Sequence, residues 1–179
     1  NTAYEISTRD WSSDVCTSDL FAEILKGRFH YVPSELRGVT WPDSGYAMNV
    51  EQVFEVVQPD HPVCAGLPPT FTLRDETYLC PLFENETTVL VTTDAIMNDS
   101  NHHSSLAAVR REEATGWSHP SGSQAVAWTH TFDKSMIVYL QPGDGADAFD
   151  NVVYRRMIAN SITWLATFSP RRSPGQGEN

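Results

Sequence analysis

Apolar residues near the end of the chain repeat with the period of a helix. In "DNVVYRRMIANSITWLATF" they recur at steps of three to five residues, at Val153, Met157, Ile158, Ile162 and Leu165. Asp150 is placed to cap the first turn, and Arg155 and Arg156 fall on the polar side. The pattern predicts a C-terminal helix that packs on a sheet.

Earlier apolar runs predict one short helix and several strands. "FAEILKGRF" predicts a helix from Phe21 that stops at Gly27, and "VEQVFEVVQ" predicts a strand from Val50 that is closed by Pro59. "TTVLVTT" from Thr87 is a continuous apolar run typical of a strand buried in a parallel sheet. "QAVAWTHTF" and "SMIVYLQ" are separated only by "DK", which predicts an antiparallel hairpin. The chain therefore has the pattern of an α/β protein.

Composition narrows the class of protein. A chain of 179 residues that is 40% hydrophobic suits one domain with a single core. Its 12 Lys and Arg against 23 Asp and Glu give a net charge of −11, which repels phosphate backbones and anionic membrane surfaces. We therefore expect neither a nucleic acid nor a membrane as a partner. No nucleotide-binding or metalloprotease motif is present, and no cofactor is expected.

The segment "RDETY" carries the sharpest candidate chemistry. Adjacent carboxylates on an extended segment point to opposite faces, so Asp75 and Glu76 separate, and Glu76 shares a face with Tyr78. Such a pair can bind sugar hydroxyls or move protons, because a partly buried carboxyl group titrates upward. The alternative is a structural carboxylate that accepts hydrogen bonds from loop amides.

Histidines and a glycine-flanked aspartate supply further candidates. His102 and His103 are adjacent and therefore poorly spaced to grip one metal, although His119 or His30 could complete such a site. "YLQPGDGADAF" is a strand that ends just before a helical stretch, and this places Asp144 where ligands bind in open α/β sheets. A solvated loop remains the alternative for each of these positions.

Eight segments in order resemble the trehalose-utilisation, or ThuA-like, family between Phe21 and Ala166. They are "LKGRFHYVP", "GVTWPDSGY", "PDHPVCAGLP", "DETYLCPLFE", "GWSHPSGS", "AVAWTH", "IVYLQPGDGADAFDN" and "YRRMIANSITWLA". The resemblance implies part of a doubly wound, flavodoxin-like sheet of the class I glutamine amidotransferase type, with a C-terminal hairpin and helix. Glutamine hydrolysis is not expected, because the matching strand end carries no His partner for a nucleophilic Cys.

The resemblance also implies a role in bacterial carbohydrate utilisation, with trehalose or a related oxidised glycoside as the substrate and the reaction undefined. In this hypothesis Glu76 is the general acid or base and His119 or His30 assists it. The residues expected to bind substrate hydroxyls are Tyr31, Asp43, Tyr78 and Asp144. The alternatives are a non-catalytic carbohydrate-binding or accessory module on the same fold, and a metal-dependent hydrolase.

Both ends of the chain differ from its centre. "DWSSDVCTSDL", at residues 10–20, resembles a translated sequencing adapter, so we expect residues 1–20 to be non-native and the family's earlier strands to be missing. Residues 21–168 would then form the C-terminal part of a ThuA-like domain, and residues 169–179 a disordered tail. We expect a cytoplasmic protein, with an export signal on a missing N-terminus as the alternative. The sequence does not decide the oligomeric state.

Overall fold

The computed structural model describes residues 19–168 of the chain. The predictions for residues 1–18 and for the tail at 169–179 lie outside this range. Within it, the elements follow one another as α1 (Asp19–Leu25), β1 (Ser34–Leu36), β2 (Val39–Trp41), β3 (Gly45–Val56), β4 (Thr70–Leu79), β5 (Thr88–Thr93), β6 (His103–Ser104), α2 (Ser105–Arg110), β7 (Ala125–Phe132), β8 (Ser135–Leu140), α3 (Ala146–Asp150) and α4 (Val152–Ala166). Short 3₁₀ turns lie at Pro62–Cys64, Glu84–Glu86 and Asp99–Asn101.

One sheet organises the described residues. Its strands lie in the order β4, β3, β5, β7, β8, with β6 beside one end of β3, while β1 and β2 form a separate hairpin. Every pairing among these strands is antiparallel. The parallel setting predicted for the run from Thr87 is therefore wrong, since β5 pairs antiparallel with both β3 and β7. An apolar run shows that a strand is buried but does not show the direction of its neighbours.

The predicted hairpin is confirmed. Phe132 pairs with Ser135 across a two-residue turn, and Asp133 adopts a left-handed conformation with φ of 52°. Aspartate tolerates this region better than most residues, which makes it suited to a tight turn. The hairpin brings β8 to one edge of the sheet.

The predicted C-terminal helix is also confirmed, but its cap lies one residue later than expected. The Asn151 side chain accepts hydrogen bonds from the backbone N–H groups of Val153 at 2.9 Å and Tyr154 at 3.1 Å, so the cap is Asn151 rather than Asp150. Ile162, predicted to lie on the packed face, is exposed. No helix within residues 19–168 is long and apolar enough to cross a membrane.

The core lies between α4 and one face of the sheet. Its largest members include Phe54, Phe71, Leu90, Tyr154 and Met157. Six consecutive residues of β7, from Ala125 to His130, are buried. Burial of both faces of a strand requires cover on each side of the sheet. On the second side, the Trp128 indole N–H donates to the carbonyl of Leu25 at the end of α1. The α/β class with a C-terminal hairpin and helix is confirmed.

Candidate functional site

A cleft of about 780 Å³ opens on the side of the sheet that carries α1. Most of its wall is aromatic or apolar, and only a few polar groups converge on it. The aromatic residues are Phe21, Phe29, Tyr31, Tyr46, Tyr78, Trp128, Tyr139 and Phe149. The charged and amide residues are Arg28, Glu76, Gln141 and Asp144. A concave, mainly apolar pocket with a few converging polar groups is the usual form of a small-molecule site.

Strand β4 places Glu76 and Tyr78 together on the cleft wall, as the alternation of the strand predicts. The Tyr78 hydroxyl and the Glu76 carboxylate lie near enough for each to shift the pKa of the other. Burial raises the pKa of Glu76, and the charges of Asp144 and Asp75 raise it further, against the opposing effect of the Tyr78 hydrogen bond. Burial and the neighbouring Glu76 raise the pKa of Tyr78, so the phenol remains protonated at neutral pH.

Asp144 reaches the cleft because Asp75 fixes its loop. The buried Asp75 carboxylate accepts hydrogen bonds from the backbone N–H of Gly143 at 2.6 Å and of Gly145 at 3.0 Å. Gly143 has φ of 137°, a conformation that residues with a side chain rarely adopt. The Tyr154 hydroxyl donates to the carbonyl of Pro142 and holds the preceding residue. Of the two adjacent carboxylates of "RDETY", Glu76 therefore lines the cleft, whereas Asp75 holds the loop behind it.

The remaining aromatic residue among the predicted ligands, Tyr31, lies at the rim of the cleft. Its side chain is 50% exposed, and its ring packs edge-on against Phe29 at 5.2 Å between centroids. Phe29 in turn packs against Tyr78 at 5.6 Å. The rings thus form a continuous wall from the solvent to the Glu76 and Tyr78 pair.

His30, Asp43 and His119 do not line the cleft. Asp43 is buried, and its Oδ2 atom accepts from the Ser104 hydroxyl at 2.6 Å and from the backbone N–H of Leu106 at 2.9 Å. The carboxylate thereby joins the segment before β3 to the start of α2. This is the contact of a structural carboxylate rather than of one open to a ligand.

His30 lies behind the cleft wall, on the far side of Arg28. Its Nδ1 atom receives hydrogen bonds from Arg28 Nε at 3.2 Å and Nη2 at 3.0 Å, and it also contacts the Ser34 hydroxyl. Burial lowers the pKa of His30 to about 4, with a further contribution from the charge of Arg28. Arg28 itself lines the cleft, and so does Ser105, whose hydroxyl donates to the His30 carbonyl at 3.0 Å, so both residues connect His30 to the cleft wall.

His119 is held between two tryptophans. Its ring centroid lies 6.0 Å from that of Trp41 and 6.1 Å from that of Trp117, and its Nδ1 lies 2.7 Å from the carbonyl of Pro120. Of the adjacent histidines, His102 is buried against Thr77 whereas His103 is exposed. Among residues 19–168, no three His, Cys, Asp or Glu side chains are grouped so that they could hold a metal ion.

The cleft also contains residues that the sequence did not single out. Arg28, Trp128 and Tyr139 line it, and the rings of Trp128 and Tyr139 stack with centroids 4.1 Å apart. The two residues lie directly opposite each other in the β7–β8 hairpin. The register of that hairpin was the one signal in the sequence that could have predicted the stacked pair. Cys80 lines the cleft as well, but burial raises its pKa to about 12, so it remains a thiol at neutral pH.

Comparison with known proteins identifies the fold. Among solved structures, a ThuA-like protein from Bacteroides uniformis aligns with a TM-score of 0.54 at 16% identity, over 83% of this chain and 51% of that one. A ThuA-like protein from Parabacteroides merdae aligns with a TM-score of 0.52 at 16% identity, over 93% of this chain and 59% of that one. The chain thus spans between half and three fifths of the length of these neighbours. No curated protein matches it.

The family model described as "ThuA: Trehalose utilisation" matches residues 11–165. The match begins ten residues before Phe21, inside the segment predicted to be non-native, so the origin of residues 10–20 stays a prediction. It ends within α4, and it includes every element of the sheet and every residue of the cleft. The chain belongs to the ThuA family.

Proposed function

We propose that the cleft binds a sugar or a related glycoside, and that the protein acts on it in carbohydrate utilisation with Glu76 as the general acid or base. The observation that carries this proposal is the protonatable Glu76, paired with Tyr78 in a cleft walled by aromatic rings. The family description, trehalose utilisation, supports the substrate class.

The chemistry of the wall suits a carbohydrate. A pyranose ring presents apolar C–H faces that pack on aromatic rings, and a rim of hydroxyls that donate to carboxylates and accept from cationic side chains. The cleft offers rings at Tyr31, Tyr46 and Tyr78, carboxylates at Glu76 and Asp144, and a guanidinium at Arg28. In this arrangement Tyr31 and Tyr78 bind the faces and hydroxyls of the sugar, while Asp144 accepts from its hydroxyls.

The electrostatic environment suits proton transfer. A general acid works best when its pKa lies near the operating pH, and burial together with the negative charge of Asp144 moves the pKa of Glu76 upward in that direction. A protonated Glu76 can donate to the oxygen of a leaving group and later accept the proton back from water. His30 and His119 stand outside the cleft, so neither touches the substrate directly in this proposal.

The test compares the wild type with Glu76→Gln and with Glu55→Gln, a matched change at an exposed position on β3. Each protein is incubated with trehalose and with its 3-keto derivative, and the sugars are followed by NMR. Turnover by the wild type and by Glu55→Gln, with turnover lost and binding retained in Glu76→Gln, would support the proposal. Saturable binding without turnover in all three proteins would favour a non-catalytic binding module, and absence of binding would overturn the sugar assignment.

A further inference from the structure

Two buried histidine rings each leave one nitrogen without a partner. His30 is 4% exposed and His119 is 5% exposed. Within residues 19–168, the Nε2 atoms of both rings and the indole Nε1 of Trp41 are inaccessible to solvent and have no hydrogen-bond partner. A buried polar atom without a partner costs free energy, so three such atoms linked through one hairpin point to a bound group.

The three rings are linked through the β1–β2 hairpin. The Ser34 hydroxyl contacts His30 Nδ1, and Ser34 lies directly opposite Trp41 in the β1–β2 hairpin. The Trp41 ring then packs beside that of His119 with 6.0 Å between centroids. The hairpin thus connects the two histidines, although they are distant in sequence.

Hydrogen bonds to the opposite side of each ring determine where its proton lies. Arg28 can only donate, so His30 Nδ1 accepts, and the proton of the neutral ring is on Nε2. The carbonyl of Pro120 can only accept, so His119 Nδ1 carries the proton, and in the neutral ring Nε2 presents a lone pair. The cluster therefore offers donors at His30 and Trp41 and one acceptor at His119.

We propose that His30 Nε2, Trp41 Nε1 and His119 Nε2 together bind a single hydroxyl group, either a water molecule or one alcohol group of a polyol. An alcohol oxygen accepts two hydrogen bonds and donates one, which matches this set of two donors and one acceptor. A metal ion does not match, because it requires lone pairs on both Nε2 atoms and the one on His30 carries a proton. An anion does not match either, since the lone pair of His119 would repel it.

The site is independent of the proposed chemistry at Glu76, but it adjoins the cleft. Arg28 lines the cleft and donates to His30, whose opposite nitrogen donates to the bound hydroxyl. Burial keeps His30 neutral, with a pKa of about 4, so its role as a single donor persists at neutral pH. The hydroxyl therefore completes a chain of hydrogen bonds from Arg28 to His119.

The test uses protein with ¹⁵N-labelled histidine at pH 7. Long-range ¹H–¹⁵N spectra are expected to show the proton of His30 on Nε2 and that of His119 on Nδ1. The opposite tautomer at either ring, or a charged His30, would overturn the proposal. Broadening or shift of both ring signals on addition of Zn²⁺ would also overturn it, because it would show a metal site.

The source of the hydroxyl is read from the His30 Nε2 proton. A cross-peak to water that survives saturation with glycerol or trehalose identifies a bound water, whereas a saturable shift with loss of that cross-peak identifies a ligand alcohol. Either result supports the site. If neither the water cross-peak nor the saturable shift is seen, and the Nε2 proton contacts another protein group instead, the proposal is wrong.

Variants provide a second measurement. His119→Leu removes the acceptor, and the His30 Nε2 proton should then exchange with solvent roughly tenfold faster, the factor that corresponds to one lost hydrogen bond. His119→Gln keeps an acceptor oxygen and should restore slow exchange. His103→Leu, at an exposed histidine, is the control and should leave the exchange unchanged. Equal exchange in His119→Leu and the wild type would contradict the proposal.

Discussion

Replacing Asp75 with Asn should destabilise the fold and release the loop that carries Asp144. The carboxylate, which is 5% exposed, accepts one hydrogen bond from Gly143 N at 2.6 Å and one from Gly145 N at 3.0 Å. Asparagine keeps one acceptor oxygen and places an NH₂ group against the second backbone N–H. A hydrogen bond to a charged group contributes about 1.5–3 kcal/mol, so we expect a loss of about 2–3 kcal/mol in the free energy of unfolding.

The assay is equilibrium unfolding in urea, followed by circular dichroism, on three proteins. Asp60→Asn makes the same chemical change at an exposed position and should lie within about 0.5 kcal/mol of the wild type. Asp75→Ala removes both acceptors and should cost about twice as much as Asp75→Asn, about 4–6 kcal/mol. If Asp75→Asn were as stable as Asp60→Asn, the two hydrogen bonds would not hold the loop, and the account of how Asp144 is placed would fail.

Three further perturbations test other parts of the structure. The ion pair with Arg37 lowers the pKa of Glu86 to about 2, so its contribution is present above pH 4.5 and lost as the pH falls towards 2. Arg37→Met should therefore make the melting temperature less dependent on pH over that range. The same dependence on pH as in the wild type would contradict this. The pKa of about 4 at His30, against 6.5 for an ordinary histidine, means that the unfolded chain takes up a proton first. The free energy of unfolding, measured in urea titrations, should thus fall by up to about 3 kcal/mol between pH 6.5 and 4. His30→Gln should abolish this fall. A Cβ at Gly45 would lie 2.8 Å from the Trp117 ring, so Gly45→Ala should cost about 1–3 kcal/mol in thermal unfolding, and an unchanged melting temperature would refute the close packing.

The elements that the sequence predicted correctly depend on local contacts. The β7–β8 hairpin is encoded by two strand patterns and a two-residue turn at Asp133, and α4 is encoded by its own apolar period. The antiparallel direction of β5 was not predictable in the same way, because it depends on β3 and β7, which lie far away in the chain. The cap at Asn151 was missed because neighbouring Asp and Asn side chains are equally able to cap a helix.

In the candidate site, too, the positions that follow from local pattern were predictable and those that depend on distant segments were not. Glu76 and Tyr78 could be placed on one face from strand alternation alone, and the structure confirms that geometry. The burial of Asp43 and His119 depends on β6, α2 and the loop before β7, which bring Ser104, Leu106 and Trp117 against them. No local pattern distinguishes a polar residue that faces a cleft from one that is buried behind it.

We propose that Glu76 is the protonatable group of a cleft that binds a sugar. The test is a titration of the side-chain carboxyl ¹³C signal of Glu76 by NMR, with and without saturating trehalose. We predict a midpoint above the ordinary value of 4.5 in the free protein, and a further change of the midpoint when the sugar is bound. A midpoint at or below 4.5 that does not respond to the sugar would contradict the claim.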